Sequence, residues 1–127
     1  MLDIFLYSGK LCLFDHISEP AVNKTQRALY EARARIIKAM AHPTRLFIVD
    51  VLSRGERCVC DLTEMIGADV STVSKHLSVL RDTGIIQGEK RGAQVYYTLR
   101  VPCVLNFFSC VESVIKTTAE DNLKLTR

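Results

Sequence analysis

Cysteine is the residue type with the most chemistry to offer in this chain. Five occur, Cys12, Cys58, Cys60, Cys103 and Cys110, and an odd number cannot form a fully paired intrachain disulfide framework. The most informative spacing is Cys58-Val59-Cys60. Two thiolates one residue apart are soft donors for a soft metal or metalloid ion. They open a short helical pattern over residues 58–66, with Val59, Leu62 and Ile66 on the inward stripe, and a helix N-terminus favours thiolate over thiol. On a regular helix, positions i and i+2 point about 200° apart, so an undistorted helix cannot aim both sulfurs at one ion. Ligation therefore requires a bent or unwound helix start, or a segment not yet helical. The bland alternative is two small buried hydrophobes, the common fate of free cysteine. Cys103 and Cys110 share a helix face but stand about 10.5 Å apart along the axis, too far to hold one ion together. Cys110, amid Phe107, Val111 and Val114, reads as core; Cys103, directly after Pro102, is the more accessible thiol.

Other chemistry is thin. No Ser-His-Asp order, phosphate-cradling glycine loop or paired acidic site is evident, and no enzymatic activity is expected. A thiol–disulfide enzyme would need a two-residue spacer and a βαβ frame, and this chain offers neither. His42, before Pro43, reads as a helix cap; His76 reads as partly buried or near phosphate; His16 is uninformative.

The elements that must position the thiols follow from periodicity. Pro20 opens a helical pattern with Leu29, Ala32, Ile36 and Met40 on one face, ending at His42-Pro43. A second helix over 43–54 is apolar nearly all round and expected to be central. After the 58–66 helix, Gly67-Ala68-Asp69 turns the chain, and Asp69 or Ser71 caps a fourth helix with Val73, Leu77 and Leu80 inward. Two period-two runs, 85–89 and 94–99, flank Lys90-Arg91-Gly92-Ala93 as a hairpin. A last helix runs from Cys103 to about Thr117, with Val104, Phe107, Phe108, Val111, Val114 and Ile115 inward. The fold class is mostly α with a small β-hairpin, in the order α-α-α-α-β-β-α: a winged helix-turn-helix. The expected organisation is an arm over 1–19, this domain over 20–118 and a tail over 119–127.

Charge placement agrees with a polyanionic partner. The chain has 127 residues and a formal net charge of +3. Residues 21–57 hold eight Lys/Arg against three Asp/Glu, and residues 70–100 five against two. A helix fits the major groove of double-stranded DNA. Ser71, Thr72, Ser74 and Lys75 at its start, with Lys90, Arg91 and Gln94 on the wing, are the expected DNA contacts. Neither a signal peptide nor an apolar stretch long enough to span a membrane is present, which reads as a cytoplasmic protein with reduced thiols.

The string Ala41-His42-Pro43-Thr44-Arg45, Cys58-Val59-Cys60-Asp61-Leu62, Val73-Ser74-Lys75-His76-Leu77-Ser78-Val79-Leu80, Gly84-Ile85-Ile86 and Lys90-Arg91-Gly92 with Tyr96-Tyr97 resembles the ArsR/SmtB family of metal- and metalloid-responsive repressors. The resemblance covers about residues 28–117. It implies a homodimer joined through the first and last helices, bound to operator DNA and released by an inducer. The arsenic-sensing branch points to As(III) or Sb(III) on Cys58 and Cys60. That branch often carries a third cysteine on the same helix, where this chain has Thr63. The resemblance therefore sends the third thiolate to Cys12 on the arm, with Cys103 and then Cys110 behind it. Cd(II), Pb(II) or Zn(II) at the same cysteines, and a thiol redox or persulfide switch, are the alternatives. The zinc site of the last helix uses Asp and His in other members; residues 101–117 contain neither.

Overall fold

The computed structural model describes residues 6–7, 10–11 and 23–126. The chain divides into two compact units, residues 1–32 and 33–127. In the first, β1 (Leu6–Tyr7) pairs antiparallel with β2 (Lys10–Leu11), where the sequence pattern suggested no structure. Pro20, expected to open the next helix, lies outside the described residues; helix α1 spans Lys24–Met40. Its first free N–H groups are met by Asn23, whose side-chain oxygen accepts from the Gln26 N–H at 2.8 Å.

The second unit carries the winged fold. His42 leaves the helical region, and Pro43 opens α2 (Pro43–Ser53), as a proline at a first helical position should. A two-residue strand β3 (Arg57–Cys58) precedes α3 (Val59–Ile66). Gly67, at φ 73°, closes α3 in the left-handed conformation that glycine adopts freely. Asp69 then caps α4 (Val70–Asp82). Strands β4 (Ile86–Arg91) and β5 (Gln94–Leu99) form the wing, and α5 (Val104–Leu125) ends the chain's described part.

The sheet has the order β3-β5-β4, all antiparallel. Arg91 pairs with Gln94, so the turn is the two residues Gly92-Ala93, with Gly92 at φ 62°. The expected four-residue turn is corrected here: Lys90 and Arg91 are strand residues. The strand β3 is a second departure; two residues are too few to show a period. The third is α5, which runs through most of the expected 119–127 tail to Leu125.

The core sits where α2, α3, α4 and the wing meet. Ile48, Leu62, Leu77, Leu80, Ile85, Ile86, Val49 and Val73 are its fully buried side chains. The stripe Val73, Leu77 and Leu80 fixes α4 by one face and leaves the other outward. Helix α2 is buried only through Ile48, Val49, Val51 and Leu52; Leu46 and Phe47 are exposed, so it is central on one side rather than all round. Helix α5 has no buried residue. Phe107, Val111, Val114 and Ile115, expected inward, are exposed, and so is Cys110, expected in the core. No helix of the described residues is long and apolar enough to cross a membrane.

Candidate metal and nucleic-acid sites

Cys58 is not in the helix it was expected to open. Its backbone is extended (φ −78°, ψ 162°), it pairs with Tyr96 across β3 and β5, and it is the N-cap of α3. Its sulfur accepts a hydrogen bond from the Asp61 N–H at 3.3 Å. Cys60 lies in the first turn and is exposed, whereas Cys58 is buried. This removes the geometric obstacle raised by the helical i, i+2 relation. With one residue extended and the other helical, both sulfurs turn to the same side, and here they are joined as a disulfide with Cα atoms 5.3 Å apart. The two sulfurs and a carboxylate oxygen of Asp61 lie within 4.8 Å of one another. The two sulfurs are thus joined with α3 regular from Val59 onward. Asp61 is the donor that motif reading passed over, although an acid three residues after an N-cap is positioned to face it.

Among the other candidate ligands, Cys12 lies outside the described residues. Cys103 and Cys110 are exposed free thiols and belong to no cluster with Cys58 and Cys60.

The outward face of α4 begins with a network around its cap. Asp69 accepts from the Thr72 N–H at 2.9 Å, from the Thr72 hydroxyl at 2.7 Å and from the Ser71 hydroxyl. These bonds, the Ser71 and Thr72 hydroxyls first, hold the Asp69 carboxyl far below the usual carboxylate range. The protons of Ser71 and Thr72 are therefore committed, and what these hydroxyls offer outward is acceptor lone pairs. Ser74 is half-buried and Lys75 exposed. Lys90 and Gln94 are exposed on the wing. Arg91 donates to Glu56 at 2.6 and 3.0 Å and to Glu89 at 2.9 Å, with its guanidinium carbon 4.8 Å from the centre of the Tyr96 ring. The hydrogen bond from Arg91 holds the Glu56 carboxyl below its usual range.

A family model described as "Bacterial regulatory protein, arsR family" matches residues 42–87, the span from the α2 cap into the wing. A cadmium resistance transcriptional regulatory protein CadC homolog from Staphylococcus aureus is 37% identical over 94 residues, covering 70% of this chain and 78% of that protein. The chain belongs to the arsR family.

Solved structures agree with this arsR-family assignment. The winged helix-turn-helix DNA-binding domain of a possible ArsR-family regulator from Mycobacterium bovis, described as homodimeric, is 29% identical, with a TM-score of 0.67 over 80% of this chain and 94% of that one. The transcriptional repressor BigR from Xylella fastidiosa is 28% identical, with a TM-score of 0.61 over 71% and 92%. This arsR-family chain is a DNA-binding transcriptional repressor with a winged helix-turn-helix.

In that frame α3 and α4 are the helix-turn-helix, and α4 is the recognition helix. A histidine cluster ties α4 to the rest. His42 accepts from the Thr44 N–H through Nδ1 at 3.1 Å, so it caps α2 as expected. Its ring centre is 4.5 Å from that of His76 on α4, and an Arg45 guanidinium nitrogen lies 3.4 Å from His76 Nδ1. Burial, then the nearby His42 and Arg45, push His76 below its usual value.

Proposed function

We propose that the protein is a homodimeric repressor that holds double-stranded operator DNA with α4 and the wing, and lets go when a soft ion binds Cys58 and Cys60. The observation that carries this reading is the cluster of Cys58, Cys60 and Asp61 at the cap of α3. That cap joins the helix preceding the recognition helix to the strand that pairs with the wing. In this reading Ser71, Thr72, Ser74 and Lys75 meet the major groove, and Lys90, Arg91 and Gln94 meet backbone or minor groove.

The donor set favours a divalent inducer. Two thiolates and a carboxylate suit Cd(II), Pb(II) or Zn(II), with a further donor completing the coordination. The relative named for cadmium resistance points the same way. As(III) and Sb(III), the ions first expected, prefer three thiolates, which would require Cys12 or a cysteine near α5 to join. A thiol switch is a second reading, favoured by the disulfide between Cys58 and Cys60; an oxidant or persulfide would then replace the metal.

Titrating the reduced protein–operator complex with cadmium, lead, zinc, arsenite, antimonite and an organic persulfide separates these readings. The expected result is release by a divalent ion, with thiolate-to-metal absorption in the ultraviolet. Release by arsenite and not by cadmium would restore the metalloid reading. The dimer is supported by the exposed apolar residues Ile36, Phe107, Val111, Val114 and Ile115. Sedimentation should show a dimer at micromolar concentration; a monomer that does not self-associate would refute it.

A further inference from the structure

Arg91 is the wing cation that the protein itself already holds. Three of its hydrogen bonds go to carboxylates, two to Glu56 in a fork and one to Glu89, and its flat face covers Tyr96. A guanidinium engaged in this way cannot take a phosphate with the same N–H groups. Lys90, one residue earlier, makes no ion pair among the described residues, so the two adjacent cations are not equivalent. The pairs are exposed, with the Arg91 and Glu56 side chains at 45% and 38% of their free surface. Exposed pairs are weak, and a phosphate can compete for the same fork.

We propose that Glu56 is a latch on the wing: it competes with DNA phosphate for Arg91, and the Cys58–Cys60 site sets the outcome. Glu56 reaches Arg91 from 35 residues away in sequence. It stands two residues before Cys58, on the segment that enters β3. Cys58 is paired across the sheet with Tyr96, the ring that Arg91 covers. The strand that would carry the inducer is thus continuous with the carboxylate that takes Arg91 from DNA. With the site empty, phosphate captures Arg91. With an ion bound, β3 and the adjoining Glu56 are fixed, and Arg91 returns to its carboxylates. The second half rests on the reading of Cys58 and Cys60 as the inducer site; the first rests only on the wing meeting DNA.

The test is Glu56→Gln, which keeps the side-chain shape and removes the charge. Operator affinity is read by fluorescence anisotropy across a salt series. Without metal, Glu56→Gln should bind about two- to fivefold tighter, the range of an exposed ion pair released. Its log–log salt slope should stay at the native value, because without metal phosphate takes Arg91 in both proteins. In an Arg91→Ala background the same substitution should change neither quantity. An equal gain in both backgrounds would mean that Glu56 acts only by repelling DNA, and would overturn the latch, as would no gain in the native background. Lys90→Ala reports on the wing independently; if it too leaves affinity and slope unchanged, the wing does not meet DNA and the latch falls with it. With Cd(II) added, the Glu56→Gln variant should lose operator affinity by a smaller factor than the native protein. Equal losses would sever the latch from the thiolate pair. No loss in the native protein would refute the inducer reading while leaving the metal-free result to decide the competition for Arg91.

Discussion

Cys58 is expected to do two separable things, and replacing it with serine or with alanine pulls them apart. Its sulfur accepts the Asp61 N–H at 3.3 Å and so caps α3; as thiolate it also supplies half of a soft-ion site. Serine is among the preferred N-cap residues, whereas alanine offers no acceptor, and losing a cap costs about 0.5–2 kcal/mol. For a domain of this size about 1 kcal/mol corresponds to roughly 4–8 °C in Tm. The Cys58→Ser variant, reduced, should therefore melt close to the native protein, and Cys58→Ala several degrees lower. Without metal, Cys58→Ser should bind operator as the native protein does and Cys58→Ala more weakly, its cap already lost, and both should lose the metal response. In the native protein, coupling of about 1–3 kcal/mol would shift operator affinity roughly 5- to 150-fold. Calorimetry reads the first effect, and anisotropy with and without Cd(II) reads the second. A Cys58→Ser/Cys60→Ser double variant that still releases operator normally would show that the inducer binds elsewhere. Equal melting of the serine and alanine variants would refute the capping role.

Three further outcomes follow from the packing and the charges. Leu77 is fully buried on the inward stripe of α4, so Leu77→Ala should destabilise by about 2–5 kcal/mol; a change under about 1 kcal/mol in urea unfolding would mean α4 is not anchored as described. Because His76 is held below its usual value in the folded protein, the unfolded chain binds the extra proton first. Its contribution to stability is present above its unfolded value and is lost as pH falls through that value toward the lower folded one. The urea midpoint should drop as pH falls from 7.5 toward 5, and His76→Gln should reduce that dependence; an identical pH profile in the variant would exclude His76 as the cause. Oxidising the reduced protein with diamide should close the Cys58–Cys60 disulfide, abolish cadmium binding and be reversed by a phosphine reductant, with alkylation mass spectrometry as the readout; cadmium binding that survives complete oxidation would place the ion elsewhere.

Long-range periodicity made the fold legible. The Val73, Leu77 and Leu80 stripe, the His42-Pro43 break and the alternation over 94–99 each reflect a local rule that tertiary packing reinforces, and all reappear in the structure. What was not legible depends on contacts between segments remote in sequence. Strand β3 exists because Arg57 and Cys58 pair with Tyr97 and Tyr96, and no local pattern announces that. The same pairing holds Cys58 extended, so the helical spacing argument applied to the wrong backbone. The stripe of α5 was read as apolar and its Phe107, Val111 and Val114 as part of a dimer face, whereas Cys110 beside them was assigned to the core; within one copy none of these residues is buried. Arg91 looked like a free tip cation because Glu56, its partner, lies far back in the chain. The cap, by contrast, was legible: Asp69 was one of the two residues expected to take that role.

In the proposed reading, the position of Cys58 lets a small site move a recognition helix. A helix N-cap is a single acceptor meeting a donor that has no other partner, and the acceptor here is the same sulfur that would ligate an ion. Lone-pair density given to a metal is withdrawn from the Asp61 N–H. The Asp61 carboxylate, within 4.8 Å of both sulfurs, would be drawn toward the cation at the same time. In the proposed reading, ligation would exchange the cap of α3 for a coordination bond, an energy of about 1 kcal/mol, comparable with the coupling that inducer release would need. Only Gly67 and Ala68 separate the end of α3 from the Asp69 cap of α4. A tilt at the start of α3 is carried through a packed core, with Leu62 fully buried among the α4 residues Val73, Leu77 and Leu80, which resists compression and moves as a body. On the other side, β3 transmits to the wing through its pairing with β5. One atom at the junction of strand and helix thus addresses both DNA-facing elements, with no need to unfold the helix that carries the second thiol.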